Sequence, residues 1–470
     1  MLADNGDVIV AMNVYNENNG LTDVYLQRIN LDQEHVWGEA GIQLDTSSRY
    51  EGIIEVYKGP VNDTYLIHWV RRDEDYRNYD LRLQLINGDG DFLWGIGGIG
   101  LNRDYLFSLL SKIVTTSDQC VIAAYTVEDD NEGDIEVHKI ASDGERLWSD
   151  RYIILGEDYR LRLLRDAESD RSGGAIILYD YLKYKSIDDS ITYYGINVMR
   201  ISGDGDSLWT RQVYEREKES GHDPFRQCEP IINYAGSGRF FVAWVDYPRN
   251  IRKTFQVVSL DIDGEYLWDE PVDIITSQVS AGSLDAVDSF EGVCYVWREA
   301  AEREDGWRLQ QWGQRISADG ERLWGDRGRA IQARNVDQSS ITTDGNGGVI
   351  TVVEYNPTVQ MINRNGEIGV VLETPVDQDN DKHKSLNFSP QLFIYPNPGN
   401  THFRIEYETG IPNEMFSYGI YNLLGRTIKT GIMMGGHTII NDLSPFSSGE
   451  YILRLQSARR TVSTRFLLIK

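Results

Sequence analysis

Carboxylates are the most abundant reactive groups in the chain, with 73 Asp and Glu against 46 Lys and Arg in 470 residues. Two carboxyls held about 5 to 9.5 Å apart can flank a glycosidic bond as acid and base or as acid and nucleophile. Here the acids are so many that adjacency along the chain carries no information, and no motif nominates a pair. The 7 histidines are scattered, with no His-Glu-x-x-His and no two at helical or hairpin ligand spacing, so no zinc site is signalled. Gly-x-Ser-x-Gly, phosphate-loop and dinucleotide fingerprints are missing. The glycine-rich stretches Gly95 to Gly100 and Gly345 to Gly348 read as turns and strand starts. Asp377, Asp379 and Asp381 imitate the first half of a calcium loop but lack its glycine and closing bidentate acid. Neither a metal nor a cofactor is expected.

The elements that must position any site are visible as an internal repeat. Six segments close on a turn and an aliphatic-Trp pair, at Val36-Trp37, Leu93-Trp94, Leu147-Trp148, Leu208-Trp209, Leu267-Trp268 and Leu323-Trp324. In five of them Asp-Gly precedes the Trp, with the glycines Gly90, Gly144, Gly205, Gly264 and Gly320. Asp-Gly between alternating apolar runs marks a tight hairpin, because glycine tolerates the positive φ that the turn demands. A seventh, degenerate tip at Asn365-Gly366 lacks the Trp. Upstream of each tip lies a β-rich run with a bulky residue at a corresponding place: Met12, Trp69, Tyr125, Tyr179, Trp244, Trp297 and Val353. Four short strands per copy, with no 3.6-residue periodicity, predict an all-β chain whose residues 1–373 form a seven-bladed β-propeller with a first blade open to truncation. The repeated Asp is expected to cap the turn and the Trp to cover the gap between sheets. Ser202-Gly203-Asp204-Gly205 and Ser317-Ala318-Asp319-Gly320 are similar to the Asp box of sialidase propellers, with the glycine one place early. That box is a fold signature and not a catalytic one.

In such a blade the third connection is the short Asp-Gly turn, and the second is expected to be long, at 71–80, 129–134, 180–190, 247–253 and 298–306. All the long loops then share one rim, where a rigid scaffold concentrates binding residues. Arg72, Tyr76, Tyr79, Tyr184, Tyr247 and Arg249, with Tyr181, give this rim a composition suited to stacking on sugars or to polar protein contacts. The expected function is a non-catalytic glycan- or protein-binding module. The alternative is a propeller glycoside hydrolase, sialidase-like or of another type.

The net charge of −27 disfavours nucleic acid and anionic membrane surfaces as partners. It is uneven: from Ser389 onward 8 basic residues face 5 acidic ones, leaving −30 on the rest. Cys120, Cys228 and Cys294 form no C-x-x-C pair. No apolar run approaches the roughly 20 residues needed to span a bilayer. Met1 is followed by a polar acidic segment in place of a signal peptide, and the chain opens inside a blade, so a truncated precursor or mature fragment is expected.

Residues 374–388 lose the alternation and read as a linker. Beyond it come Phe393-Ile394-Tyr395-Pro396-Asn397-Pro398, then Ile420 to Arg426 with Leu423-Leu424-Gly425-Arg426 as a turn, then Gly449-Glu450-Tyr451-Ile452-Leu453-Arg454-Leu455, and finally Phe466 to Lys470. These four elements, in this order at the end of the chain, make residues 389–470 resemble the type IX secretion C-terminal sorting domain of Bacteroidetes-like bacteria. Asn422 departs from it, since the family often has Asp there. The resemblance implies a small immunoglobulin-like β-sandwich read by the outer-membrane type IX machinery. It also implies delivery outside the cell or to its surface, with Tyr395, Pro396, Asn397, Pro398, Gly425, Arg426, Gly449, Tyr451 and Lys470 as the sorting motif.

Overall fold

The structure is a computed structural model. It describes residues 1–470 except 2, 4–6, 17–19, 31, 33, 46–48, 73–78, 102–109, 130–131, 149–151, 155–158, 185–191, 218–228, 247–253, 277–280, 290–291, 304–305, 333–338, 345–346, 354–357, 369–371, 374–390, 396–402, 409–414, 423–425, 435, 441–445, 447–448, 457–460 and 469–470. Two compact units divide the chain, Met1–Glu373 and Thr374–Lys470.

In the first unit the repeat folds as successive antiparallel meanders, each strand pairing with the next in sequence. The first copy has three strands, β1 (Val8–Asn16), β2 (Leu21–Ile29) and β3 (Ile42–Gln43), and the second has four, β4 (Tyr50–Lys58), β5 (Thr64–Arg72), β6 (Tyr79–Asn87) and β7 (Ile99–Gly100). The third comprises β8 (Ser111–Thr115), β9 (Val121–Asp129), β10 (Glu132–Ile140) and β11 (Tyr152–Ile154). One parallel pair, Gly133 near the start of β10 with Leu161, joins it to the fourth, β12 (Tyr159–Ser169), β13 (Ala175–Tyr184), β14 (Thr192–Ile201) and β15 (Ser207–Glu217). The fifth holds β16 (Ile231–Tyr234), β17 (Arg239–Asp246), β18 (Thr254–Asp261) and β19 (Val272–Asp273), and the sixth β20 (Ala281–Ser289), β21 (Gly292–Arg303), β22 (Gly306–Ser317) and β23 (Arg329–Gln332). The seventh consists of β24 (Ser339–Thr343), β25 (Val349–Val353), β26 (Thr358–Ile362) and β27 (Leu372–Glu373). Four-stranded meanders repeated in this way are the unit of a β-propeller.

Alternation along the second and third strands sends successive side chains to opposite faces, so an interior sheet packs on both sides. In β5, Tyr65, Ile67 and Trp69 join a cluster with Ile9, Val24 and Leu26 of the first copy, while Leu66 joins one with Ile113 and Val121 of the third. Similar clusters separate each later pair of neighbours up to the sixth and seventh copies, where Cys294 and Val296 meet Val349 and Ile362. First strands lie beside first strands, with β8 against β12, β12 against β16, β16 against β20 and β20 against β24.

The turn chemistry differs from the sequence expectation in one respect. The repeated Asp does not cap its own turn; the residue two places before it does. Asn30 Oδ1 accepts from Asp32 N and Glu34 N, Ser202 Oγ from Asp204 N and Asp206 N, Asp261 Oδ1 from Asp263 N and Glu265 N, and Asn363 Oδ1 from Asn365 N and Glu367 N. Only where that place is Ala141 does the Asp take over, Asp143 Oδ1 accepting from Glu145 N at 3.0 Å. A short polar side chain at the first turn position reaches both donors, while the Asp at the third points to solvent.

The Trp does bridge sheets, by a repeated hydrogen bond. Trp37 Nε1 donates to Gly88 O (3.0 Å), Trp94 to Ser142 O (2.9 Å), Trp148 to Gly203 O (3.2 Å), Trp209 to Ile262 O (3.0 Å), Trp268 to Ala318 O (3.2 Å) and Trp324 to Arg364 O (3.1 Å). Each acceptor is in the tip of the next copy, and each indole lies on that tip's glycine. A Cβ built on Gly264 would stand 2.7 Å from Trp209, and the six seats Gly90, Gly144, Gly205, Gly264, Gly320 and Gly366 have φ between 78° and 93°. Glycine is required there twice over, by conformation and by contact.

The second unit carries two antiparallel sheets. One runs β28 (Gln391–Tyr395), β29 (Phe403–Glu408) and β32 (Gly436–Ile440); the other runs β31 (Thr427–Met434), β30 (Met415–Asn422), β33 (Gly449–Gln456) and β34 (Thr461–Leu468). Ile405, Phe416, Ile420, Leu453 and Leu455 are fully buried. The linker and the aspartates at 377, 379 and 381 lie outside the described residues.

Candidate functional site

The expected rim is the edge where second strands turn into third strands. The structure shortens several of its loops by extending the strands. Asp180 and Tyr181 belong to β13, and β21 and β22 pair through Arg303 and Gly306, so the expected loop at 298–306 is a hairpin end. Tyr181 is buried, with its hydroxyl donating to Glu215 Oε2 at 2.6 Å and Gln212 Oε1 at 2.8 Å, which removes it from any ligand surface. Of the other rim residues, Arg72 and Tyr79 are described in full, and Tyr184 ends β13 with its side chain outside the description. Tyr76, Tyr247 and Arg249 lie outside the described residues.

Arg72 and Tyr79 face each other at the mouth of the β5–β6 hairpin, and Arg72 also pairs with Tyr50 across β4. The Arg72 guanidinium lies 3.6 Å over the Tyr50 ring, which fixes a flat cationic surface on an aromatic support. On the opposite face of the sheet, Arg71 is the centre of a charge network that the sequence did not nominate. Its Nη2 meets Asp45 Oδ2, its Nη1 stands 3.7 Å from Asp80 Oδ2, and its Nε stands 4.0 Å from Glu51 Oε1. Asp80 is shared with Arg82 Nη1 at 3.0 Å, and Arg82 donates to Gly97 O (2.6 Å) and Gly98 O (3.0 Å). Half-exposed Arg49 completes the rim 4.0 Å from Asp80. Glu51 is wholly buried and accepts from Val24 N at 3.2 Å. Burial, with Asp45 beside it, pushes its carboxyl up to about 8.

A second polar cluster sits on the fourth sheet. Asp180 is buried, bonded to Arg165 Nε at 2.6 Å and Tyr194 OH at 3.2 Å, and burial pushes it up to about 6 despite the guanidinium. A third lines the first strands. Lys112 Nζ is 3.4 Å from Asp166 Oδ1, which raises the ammonium pKa. Glu168 is pushed up to about 7 by burial and by Asp288, and Asp288 up to about 6 chiefly by burial. Arg171 binds Glu168 at 3.2 Å and lies over Tyr234. No group of three or more His, Cys, Asp or Glu among the described residues has the geometry to hold a metal ion. Cys120 and Cys294 are buried thiols without a disulfide, and Cys294 is pushed up to about 12 by burial.

In the second unit Tyr451 is buried with its ring 5.2 Å from Phe446. Arg426 is exposed, and its N–H donates to Asn422 Oδ1 at 2.9 Å as β30 turns into β31. Tyr395 ends β28 and Gly449 begins β33; Pro396, Asn397, Pro398, Gly425 and Lys470 lie outside the described residues. Asn422 performs its capping with the one oxygen that Asp would also supply. No helix among the described residues is long and apolar enough to cross a membrane.

Comparison with known proteins agrees with this division. Residues 393–470 match the family of secretion system C-terminal sorting domains, so the tail is a type IX sorting domain and marks the chain for export. No curated protein matches the chain. Among solved structures, an acylaminoacyl peptidase of Pyrococcus horikoshii aligns at 11% identity and TM-score 0.39, covering 88% of this chain and 57% of its own. The GH93 alpha-L-arabinofuranosidase of Fusarium graminearum, in complex with arabinobiose, aligns at 10% identity and TM-score 0.36, covering 64% and 88%. A protein of unknown function from Bacteroides caccae aligns at 13% identity and TM-score 0.30, covering 65% and 93%. The chain thus spans little more than half of the peptidase.

Proposed function

We propose that the chain is an exported surface protein in which a closed seven-bladed propeller presents a carbohydrate-binding rim, and an immunoglobulin-like sandwich at the C-terminus engages the type IX machinery. The observation that carries the binding role is the Arg72–Tyr50 stack at the mouth of the β5–β6 hairpin, with the Arg71–Asp80–Arg82 network on the opposite face of the same sheet. It offers a flat aromatic-cationic surface with fixed donors, which suits the faces and hydroxyls of sugars, and the raised carboxyl of the adjoining network, Glu51, is wholly buried.

A hydrolase is the second reading, favoured by Glu168 and Asp288. These are two carboxyls on first strands of the propeller whose pKa values are raised towards neutrality, as a general acid requires. A glycan array probed with the full chain, with product analysis of every bound sugar, separates the two. Binding without turnover, weakened about tenfold by Arg72→Ala and Tyr50→Ala, supports the rim; tenfold corresponds to about 1.4 kcal/mol. Cleavage that is lost in Glu168→Gln replaces it with the hydrolase. Silence on the array overturns the carbohydrate reading.

A further inference from the structure

Six sheet junctions carry the tryptophan latch, and the sequence removes both halves of it at the one remaining place. The tip of the seventh copy ends Gly366-Glu367-Ile368-Gly369-Val370, with Val370 where every other tip has Trp. The tip of the first copy reads Asn30-Leu31-Asp32-Gln33-Glu34, with Gln33 where every later tip has the glycine that seats an indole. The register is secure, because Asn30 and Asn363 make the same pair of capping bonds and each donates its own N–H to the carbonyl four residues on. By sequence, then, the indole donor and the glycine seat are missing together.

The outer faces of β1 and β25 are apolar, with Asp23 and Gln27 of β2 beside the first of them. Ile9 and Ala11 of β1 face the second copy, so alternation turns Val8, Val10, Met12 and Val14 to the other side. There Val8, Met12 and Val14 are 41%, 39% and 41% exposed. Val349 and Ile362 of the seventh copy face the sixth, which leaves Ile350, Val352 and Met361 outward, Val352 being 37% exposed. In β5, which has a neighbour on each side, the corresponding Leu66, Ile67 and Trp69 are all fully buried.

Resting on the closed-ring reading, we infer that the outward faces of β1 and β25 are each other's partners across a seam without a latch, and that this seam is where the propeller opens. The six latched junctions hold by apolar packing plus an indole bond seated on glycine. The seam holds by apolar packing alone, between smaller aliphatic surfaces. Opening there exposes two faces and breaks no strand pairing, whereas opening elsewhere also breaks a latch.

Hydrogen exchange of the full chain, followed by mass spectrometry, tests the inference. Peptides from β1 and β25 are expected to exchange together and ahead of those from β9, β13 and β17. The double variant Gln33→Gly with Val370→Trp, which installs the seventh latch, is expected to slow both by roughly 5- to 30-fold and leave β13 unchanged, while Val370→Trp alone gains less because its seat is blocked. Equal exchange in β1, β25 and the interior strands overturns the inference, as does a folded double variant with unaltered rates. A cysteine pair, Met12→Cys with Val352→Cys in a chain whose native cysteines are alanine, separates the two readings. Failure of a short bis-maleimide to join them removes the closed ring itself, whereas joining with uniform exchange leaves the ring and removes the seam as its opening point.

Discussion

Glu51 shows how a single buried acid sets a pH dependence. Its carboxyl is pushed from an ordinary 4.5 up to about 8, so the folded chain holds a proton that the unfolded chain releases between those values. Folding stability contributed by this group is therefore complete below about pH 4.5 and declines as pH rises towards 8, by at most about 1.4 kcal/mol per pH unit. Chemical denaturation of the wild type between pH 5 and 8 should show this decline. Glu51→Gln, which mimics the protonated form, should flatten it and be the more stable protein at pH 8. An equal slope in both proteins would remove Glu51 as the source of the decline. Nothing in the sequence Tyr50-Glu51-Gly52 distinguishes this acid from the other 72, because its burial comes from the packing of the first sheet on the second. The same holds for Arg71 and Asp80, which read as loop residues until the strands were seen to extend through them. Arg72 and Tyr79 were legible as neighbours of the β5–β6 turn because an Arg and a Tyr flank a charged stretch there.

Among the elements, the Asp-Gly tips were the most legible, since a glycine forced to positive φ leaves a local mark that tertiary contacts do not override. The role of their side chains was not. The structure assigns capping to Asn87 and leaves Asp89 exposed, with Asp91 N donating to Asn87 Oδ1 at 2.8 Å. Asn87→Ala should therefore cost about 1 kcal/mol and Asp89→Ala almost nothing, as thermal denaturation of the two variants would reveal. The reverse order would restore the Asp to the capping role. The latch makes a matching prediction. Trp209→Phe deletes the bond to Ile262 O, at a cost of about 0.5 to 1.5 kcal/mol for the bond, and also removes the five-membered part of the indole, which adds to it. Gly264→Ala strains the turn and strikes the indole as well, and should cost more. Where the sequence misled, at the hairpins of β9–β10 and β21–β22, charged residues such as Arg298 and Glu299 hid the continuation of the strands. Cross-strand pairs in a ribbon tolerate charge that a half-buried strand would not.

At the level of the whole molecule, the division into an acidic repeat unit and a mildly basic tail was legible from charge and from four short motifs, because both are properties of the chain and not of its contacts. Removing residues 389–470 should leave the repeat unit folded and abolish delivery to the surface of a type IX-competent host, which fractionation and thermal melting together would establish. Loss of the cooperative melt would mean that the tail completes the propeller's core. A ligand for the rim was not legible, since recognition depends on the spacing of side chains contributed by different sheets.

The latches also have a direction. Each indole reaches forward, from an earlier copy to a turn that is made later, and never back. A chain folding as it emerges therefore always ends in an indole whose N–H has no carbonyl and whose face is wet, until the next tip arrives to cover both. Loss of copies from the two ends should consequently be unequal. Truncation at the C-terminal side strands a Trp, while truncation at the N-terminal side strands only an empty glycine turn, so the propeller is built to be completed in the order in which it is made.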